Sequence, residues 1–219
     1  MKRCGGLVVS IIALGTLAAR DSSWTAPRAV DLLALVDLSR DRVHGTWEKE
    51  KGTLACTRRA PAARVVLPYV PPEEYDLELV AERTGGTDAF VLGLAAGGRQ
   101  FVHVLDGYTA EGKCLAGFES LDRKWARDNE SRRDGQAFVN GMPATVKYAV
   151  RKGRIRAWVD GREMLDWTGE FSRLEVRSDY RVSSTETLFI GAYNSEYRFT
   201  RILLHPKSDG GKLLRGSRP

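Results

Sequence analysis

The sequence predicts an all-β protein in which two antiparallel sheets pack face to face as a β-sandwich of the jelly-roll type. Residues 142–167 alternate between apolar and polar side chains, a period of two that places one set on a buried face. Glycine-containing turns at Lys152-Gly153 and Asp160-Gly161 close this segment into a meander of short strands. A meander cannot bury its apolar face alone, so a second sheet must cover it.

Short runs of the same kind, ended by glycine or proline, follow one another along the chain. The segment 30–36 is a leading strand or a short helix, and no amphipathic pattern longer than two helical turns is present. Residues 122–140 and 168–187 are irregular, which predicts loops. The predicted strands are 44–48, 52–56, 63–68, 74–83, 89–95, 100–105, 113–121, 146–151, 154–159, 188–193 and 197–204.

The two ends are predicted to lie outside the domain, which spans residues 28–207. Lys2 and Arg3 precede an apolar run at 7–19 that is shorter than the ~20 residues of a membrane-spanning helix. Residues 1–20 are therefore interpreted as a signal peptide, with an uncleaved anchor as the alternative, and the protein as secreted or periplasmic. No later run is long enough to span a membrane. Residues 208–219 are interpreted as a disordered basic tail.

The formal net charge of +6 does not indicate a nucleic-acid partner. Lys2 and Arg3 leave with the signal peptide, and the tail carries three basic residues against one acidic residue, which leaves +2 on the domain. Nucleic-acid binding needs a basic stripe or a known module, and the sequence has neither.

Two cysteines remain after the signal peptide, which contains Cys4, is removed. An oxidising compartment permits a disulfide between Cys56 and Cys114. The sequence does not determine the distance between their Cα atoms, so a disulfide and two buried thiols are both open.

The order of several segments resembles the concanavalin A-like lectin/glucanase superfamily. Those segments are Trp47 with Gly52-Thr53-Leu54, Tyr75-Asp76-Leu77, residues 155–161 with Trp167, residues 188–192, and His205-Pro206. The sequence is most similar to laminin-G-like jelly-roll domains and to the 3-keto-disaccharide hydrolase domain family of bacterial secreted proteins. The resemblance covers residues 30–206 and implies two packed sheets, the concave one offering a surface for sugars. Its motifs are turns and core positions, which indicate fold more strongly than activity.

Three acidic residues, Glu74, Asp76 and Glu78, alternate along one predicted strand and therefore face the same way. Retaining glucanases of the superfamily present a nucleophile and a general acid in this manner. Such a pair needs carboxyl groups ~5–5.5 Å apart, whereas residues i and i+4 of a strand are about 13 Å apart along the backbone. The alternative is a solvated face whose acids pair with bases across the sheet. The bases considered are Lys147, Arg151 and Arg156.

Candidate sugar ligands lie in the irregular segment 122–140. An aromatic ring beside amide and guanidinium groups suits a sugar, because the ring stacks on its CH face and the polar groups bind its hydroxyls. The alternative is a tryptophan packed on the core below a surface loop. The residues of this segment are Trp125, Asn129, Arg132 and Arg133.

Three further residues are sugar-binding candidates. His103 and Tyr108 flank the turn at Asp106-Gly107, although a lone strand histidine is more often a packed or surface residue. Trp158 falls on the face opposite Ile155, and it becomes a binding platform if that face is the concave one.

No metal or cofactor is predicted. The histidines do not share metal-ligand spacing, which argues against zinc. Asp76, Asp106 and Asp160 could supply oxygen ligands to calcium, but no Asp-rich loop supports such a site. No nucleophile elbow, phosphate loop or Cys–His pair is present.

These observations favour a secreted, non-catalytic module that binds a carbohydrate or a cell-surface polysaccharide. One alternative is a glycoside hydrolase-like enzyme that acts on a glucan or a keto-disaccharide. The other is a protein-interaction module without a sugar ligand.

Overall fold

The computed structural model describes residues 28–214, and these residues form a sandwich of antiparallel sheets. The all-β, two-sheet fold predicted from the sequence is confirmed. The predicted signal peptide at 1–20 and the last five residues of the predicted tail lie outside the described residues. No helix between residues 28 and 214 is both long enough and apolar enough to cross a bilayer.

Seventeen strands account for about half of the described chain. They are β1 Val30–Asp31, β2 Arg42–His44, β3 Trp47–Glu50, β4 Thr53–Cys56, β5 Ala63–Leu67, β6 Tyr69–Val70, β7 Tyr75–Gly85, β8 Phe90–Ala96, β9 Arg99–Gly107, β10 Leu115–Phe118, β11 Arg133–Asp134, β12 Pro143–Arg151, β13 Arg154–Val159, β14 Arg162–Thr168, β15 Leu188–Ala192, β16 Glu196–Pro206 and β17 Lys212–Leu213. The leading segment contains two short helices, α1 Leu32–Leu35 and α2 Leu38–Asp41, each capped at its start by an aspartate.

Two large sheets are built from these strands. Sheet 1 has the order β14-β13-β12-β7-β16-β4-β3, and β1 also pairs with β16. Sheet 2 has the order β11-β10-β9-β8-β15-β5-β2, and β6 pairs with β17 in a small separate ribbon. The predicted meander is confirmed as β12, β13 and β14, which form one edge of sheet 1.

The space between the sheets is filled by apolar and aromatic side chains. Tyr75, Leu77 and Leu79 alternate along β7 and are buried, as their sequence pattern predicted. Phe90 and Phe101 of sheet 2 are among the large side chains that are fully buried with them. This apolar layer provides the main driving force that holds the two sheets together.

One buried ion pair lies at the end of this core. Arg83 donates to Asp106 at 2.9 Å and to the carbonyl oxygen of Phe138 at 2.7 Å. Asp106 also accepts a hydrogen bond from the amide of Phe138 at 2.9 Å. Because both charges are compensated, the pair can be buried, and it ties the loop around Phe138 to both sheets.

The outer face of sheet 2 is also buried. Val91, Val102 and Val104 point away from the main core and pack with Tyr180 in a second cluster. We call residues 174–185, which lie over this face, the strap. Its ends are held by the pairing of Leu174 with Leu121 and by a hydrogen bond from the Gln100 side chain to the carbonyl oxygen of Ser184 at 3.2 Å.

The prediction of a disordered tail from residue 208 is wrong for residues 208–214. Lys212–Leu213 forms β17 and pairs with Tyr69–Val70. The amide of Leu214 donates to the carbonyl oxygen of Pro68 at 3.0 Å. The backbone of β6 offers edge hydrogen bonds, and backbone pairing of this kind leaves no signal in the side-chain pattern of the tail.

The disulfide alternative is wrong, because both cysteines are free thiols. Cys56 lies on β4 in sheet 1 and donates weakly to the carbonyl oxygen of Arg58, 3.5 Å away. Cys114 precedes β10 in sheet 2 and lies 3.6 Å from a carboxylate oxygen of Asp106. Burial raises the pKa of each thiol to about 11, so both are poor nucleophiles.

Candidate functional site

The acidic row on β7 forms a ladder of ion pairs, which is the alternative considered for it in the sequence analysis. Asp76 accepts from Arg151 at 2.7 Å and lies 3.1 Å from the Lys207 ammonium. Glu74 accepts a hydrogen bond from the amide of Lys152 at 3.1 Å. These carboxylates are held by cations and amides on the outer face of sheet 1.

Glu78 completes this ladder. It lies 2.8 Å from Arg201 and 3.2 Å from Lys147, and hydrogen bonds from these two cations hold its pKa below the usual value. The predicted pairing of the row with Lys147 and Arg151 is therefore confirmed. The predicted pairing with Arg156 is wrong.

Arg156 instead binds acids of the neighbouring strand β14, lying 2.7 Å from Glu163 and 3.6 Å from Asp166. Its guanidinium also lies over the ring of Trp158, 4.6 Å from the centroid. Trp158 does face away from the core, as predicted, but it lies on the outer face of sheet 1 among these charges.

His103 is not a sugar ligand, because it is fully buried between the sheets. Its Nδ1 lies 2.8 Å from the hydroxyl of Tyr148, and its ring meets Phe118 and Tyr148 edge to face. Burial lowers the pKa of the imidazole to about 3. The structural alternative considered for a lone strand histidine is therefore correct.

Asn129 and Arg132 make hydrogen bonds that stabilise the loop that contains them. The Asn129 amide donates to the carbonyl oxygens of Phe118 and Lys124 at 2.8 and 3.1 Å, and its oxygen accepts from Ser131. Arg132 binds Asp134 at 2.8 Å. The other predicted arginine of this loop, Arg133, begins β11. Polar loop residues satisfy neighbouring backbone groups here rather than a sugar.

The three aspartates considered as calcium ligands are all engaged elsewhere. Asp76 and Asp106 are in the ion pairs described above, and Asp160 accepts from the amide of Thr145 at 2.7 Å. Between residues 28 and 214, no group of three or more His, Cys, Asp or Glu side chains is arranged to hold a metal ion.

A pocket of about 230 Å³ lies against the outer face of sheet 2, where β8 begins and β9 ends. We call it the aromatic pocket. It brings together two predicted residues, Tyr108 and Trp125, with side chains from the strap and from the residues that directly follow β10 and β15. Its aromatic residues are Tyr108, Trp125, Tyr180 and Tyr193, and its charged residues are Asp88, Glu111, Glu119 and Arg177.

Tyr108 is positioned by an unusual backbone turn directly after β9. Its φ is +67° and that of Asp106 is +60°, both in the left-handed region that side-chain-bearing residues adopt rarely. Non-glycine residues in such conformations cluster at functional sites, and here the turn directs Tyr108 into the pocket.

Glu119 is the most deeply buried charge in the pocket, at 4% exposure. It accepts from the Tyr108 hydroxyl at 3.1 Å and from Arg177 at 3.0 Å. Burial raises the pKa of its carboxyl, while the charge of Arg177 opposes that rise. The carboxylate therefore joins β10 to the strap and fixes the Tyr108 hydroxyl.

Trp125 forms the rim and is 41% exposed. The guanidinium of Arg177 lies 4.2 Å from its ring centroid and that of Arg127 lies 4.4 Å away. Both distances are within the range of cation–π attraction. The indole is thus fixed by cations, and it borders the pocket instead of standing alone as a flat stacking platform.

Sequence reasoning missed most of the pocket residues. Asp88 precedes β8, Glu119 follows β10, and Arg177 and Tyr180 lie in a segment that the sequence predicts only as irregular. The one available signal was the continuous apolar run of β8, which indicates a strand buried on both faces and hence a covering layer.

No family model matches the chain. No curated protein matches its sequence. Among solved structures, the carbohydrate-binding module CBM66 from Bacillus subtilis aligns with a TM-score of 0.50 and 8% identity over 82% of this chain and 96% of that one. The VIP36 exoplasmic/lumenal domain, in a form bound to Ca²⁺ and Man3GlcNAc, has a TM-score of 0.54 and 9% identity over 76% and 84%.

A Crh5 transglycosylase in complex with NAG has a TM-score of 0.53 and 9% identity, covering 83% of this chain and 84% of that one. At such low identities the likeness concerns the fold. That fold is a two-sheet antiparallel jelly roll, as the sequence predicted.

Proposed function

We propose that this chain of concanavalin A-like fold is an exported carbohydrate-binding module, and that the aromatic pocket is its ligand site. The observation that carries the proposal is the convergence of four aromatic rings with carboxylates and a guanidinium in one concave site. A few placed polar groups among aromatic walls are typical of small-ligand sites.

The chemistry of the lining suits a sugar. Aromatic rings stack on the apolar CH face of a sugar ring, while ionised carboxylate and guanidinium groups make strong hydrogen bonds with hydroxyls. Glu119 and Arg177 are held in place by each other and by Tyr108, so little side-chain freedom would be lost on binding.

The size of the site indicates how much of a glycan it can hold. Pockets for drug-sized ligands measure ~300–1,000 Å³, whereas this one measures about 230 Å³. It therefore suits one sugar ring or the end of a glycan better than several rings in a row. CBM66 and the VIP36 domain, whose names or bound ligands indicate sugar binding, support this use of the fold.

The experiment is a glycan array followed by calorimetry on the best ligand. Tyr193→Ala removes one pocket wall and is expected to weaken binding about tenfold, a typical loss for an aromatic contact residue. Trp158→Ala is the matched control, because Trp158 lies on the outer face of sheet 1. An empty array, or equal losses in both variants, would exclude the pocket as a sugar site.

A second candidate function is glycoside hydrolysis, favoured by two pocket carboxyls, Asp88 and Glu119, whose pKa values are both raised by burial. Glycosidases use such a pair of carboxyl groups. The ion pair between Glu119 and Arg177 favours the binding role instead. Release of reducing ends from the best array ligand, abolished by Glu119→Gln, would establish the enzyme.

The export part of the proposal rests on the charged start and short apolar run of residues 1–20. Expression of the full chain in a bacterial host with cell fractionation tests it. The expected product is outside the cytoplasm and begins near residue 21 by mass spectrometry. A full-length chain retained in the membrane would support the anchor instead.

A further inference from the structure

The cations around the aromatic pocket are already compensated. Arg177 lies 3.0 Å from Glu119 and 3.1 Å from Asp179, so two carboxylates share one guanidinium. Arg127, above the rings of Tyr108 and Trp125, likewise binds both Glu111 and Asp128. Neither guanidinium therefore offers an uncompensated positive charge to a ligand.

Among the acidic residues of the aromatic pocket, Asp88 differs because no cation of the described chain lies in direct contact with it. It is only 8% exposed and lines the pocket, and within the described chain it makes no ion pair at contact distance. The more distant charge of Arg83 and the backbone amides of Tyr108 and Thr109 stabilise its charged form in part. Its Oδ1 accepts from the amide of Ala89 at 2.9 Å. Burial raises the pKa of this carboxyl. A desolvated carboxylate of this kind gains stability when a cation enters beside it.

We propose that the pocket selects a sugar that carries a free, protonated amino group, with Asp88 as the counter-ion of the ammonium. This inference rests on the proposed function and names the class of sugar. The surplus of carboxylates attracts an amino sugar and repels a uronic acid. The pocket therefore favours a positively charged sugar and disfavours a negatively charged one.

The aromatic walls favour the same ligand. Tyr180 and Tyr193 have ring centroids 6.4 Å apart and planes inclined by 56°, so they form two sides of a corner. Aromatic faces attract ammonium groups as well as the CH face of a sugar. An amino sugar can make both contacts, whereas a neutral sugar can make only the contact between its CH face and the ring.

The test compares two β-1,4-linked hexamers of the same length, one of glucosamine and one of N-acetylglucosamine, by calorimetry with the purified protein. The glucosamine hexamer is expected to bind about tenfold more tightly, since a charge-assisted hydrogen bond replaces a neutral one. A galacturonate hexamer is expected not to bind. Ethanolamine, which has the ammonium but no ring, is expected to bind far more weakly than glucosamine.

Asp88→Asn keeps an oxygen for the Ala89 amide and removes only the charge. It is expected to abolish the preference for the glucosamine hexamer. Glu50→Gln is the matched control, because it removes the same charge from the exposed strand β3 and should leave the preference unchanged. Thermal unfolding checks that both variants fold, and the hexamer comparison on the unaltered protein does not depend on either variant.

These experiments distinguish a failure of the amino-sugar inference from a failure of the proposed function. If both hexamers bind equally and Tyr193→Ala weakens both, the charge preference is wrong while the pocket remains a sugar site. If no hexamer binds and the glycan array is also empty, the proposed function itself fails, and the amino-sugar inference fails with it.

Discussion

The sandwich compensates the burial of its polar side chains in two different ways. Arg83 and Asp106 form an ion pair, and several hydrogen bonds surround them. His103 has no charged partner, and its Nε2 makes no hydrogen bond within the described chain. Desolvation therefore keeps its imidazole neutral, since nothing repays the burial of a positive charge.

Because the His103 imidazole is neutral in the folded state, we predict that the free energy of unfolding depends on pH. Burial lowers the folded-state pKa of His103 from the usual 6.5 to about 3. Below pH 6.5 the unfolded chain therefore binds a proton that the folded chain does not, and stability falls as the pH falls towards 3. The expected loss from this group is on the order of 4 kcal/mol, measured by urea unfolding between pH 7 and pH 3.

His103→Asn isolates the contribution, because it keeps a polar partner for the Tyr148 hydroxyl and does not titrate. The variant is expected to lose less stability than the unaltered protein over this range. His44→Asn, at an exposed position, is the control. Identical pH profiles for the His103 variant and the unaltered protein would show that the imidazole is not the responsible group.

The strap lies over the outer face of sheet 2 and forms one side of the aromatic pocket. It packs Tyr180 on the second apolar cluster and places Arg177 between Glu119 and Trp125. Its helical content is a single 3₁₀ turn at Ser178–Tyr180, so side-chain contacts rather than regular hydrogen bonding hold it in place. Arg177 is the residue that connects the strap to the deepest charge of the pocket.

Arg177→Ala is expected to leave Glu119 buried without its cation. A loss of about 1–3 kcal/mol in the free energy of unfolding follows from an uncompensated buried acceptor. Amide exchange in residues 174–185 should accelerate, and the pKa of Glu119 should rise further. Arg173→Ala removes a half-buried arginine that binds Asp122 and Glu130 instead of Glu119, and it should leave strap exchange unchanged. Equal protection in both variants would contradict this role.

The molecule as a whole is held together by its apolar layers without a covalent link between the described cysteines. Cys56 belongs to sheet 1 and Cys114 adjoins sheet 2. Each thiol is engaged with a local acceptor, which leaves the two sheets joined by side-chain packing and by the Arg83–Asp106 pair.

Stability should therefore not depend on redox conditions. The melting temperature is expected to be the same with and without a thiol reductant. Buried Cys56 should react with a thiol reagent only after unfolding, and the half-buried Cys114 should react slowly in the folded protein because its thiol stays protonated. Mass spectrometry of the labelled, unfolded chain measures the number of free thiols. A melting temperature that drops on reduction would show that a disulfide exists.

Local patterns were sufficient for the strands and for the fold class. The alternation in β7 and β12 predicted which side chains are buried, and the Lys152-Gly153 turn predicted the hairpin between β12 and β13. Period-two alternation reports the two faces of a strand, and glycine turns report where the chain reverses. Both signals lie within a few consecutive residues.

The pocket depends on contacts between residues far apart in the chain. Asp88, Tyr108, Glu119 and Arg177 come from four different segments and meet only because β8, β9 and β10 are neighbours in sheet 2 and the strap crosses their outer face. The sequence alone determined two layers of short strands, since strand periodicity is local. Only the tertiary structure decided which outer face is covered and which charges converge there, because strand order and loop placement bring distant residues together.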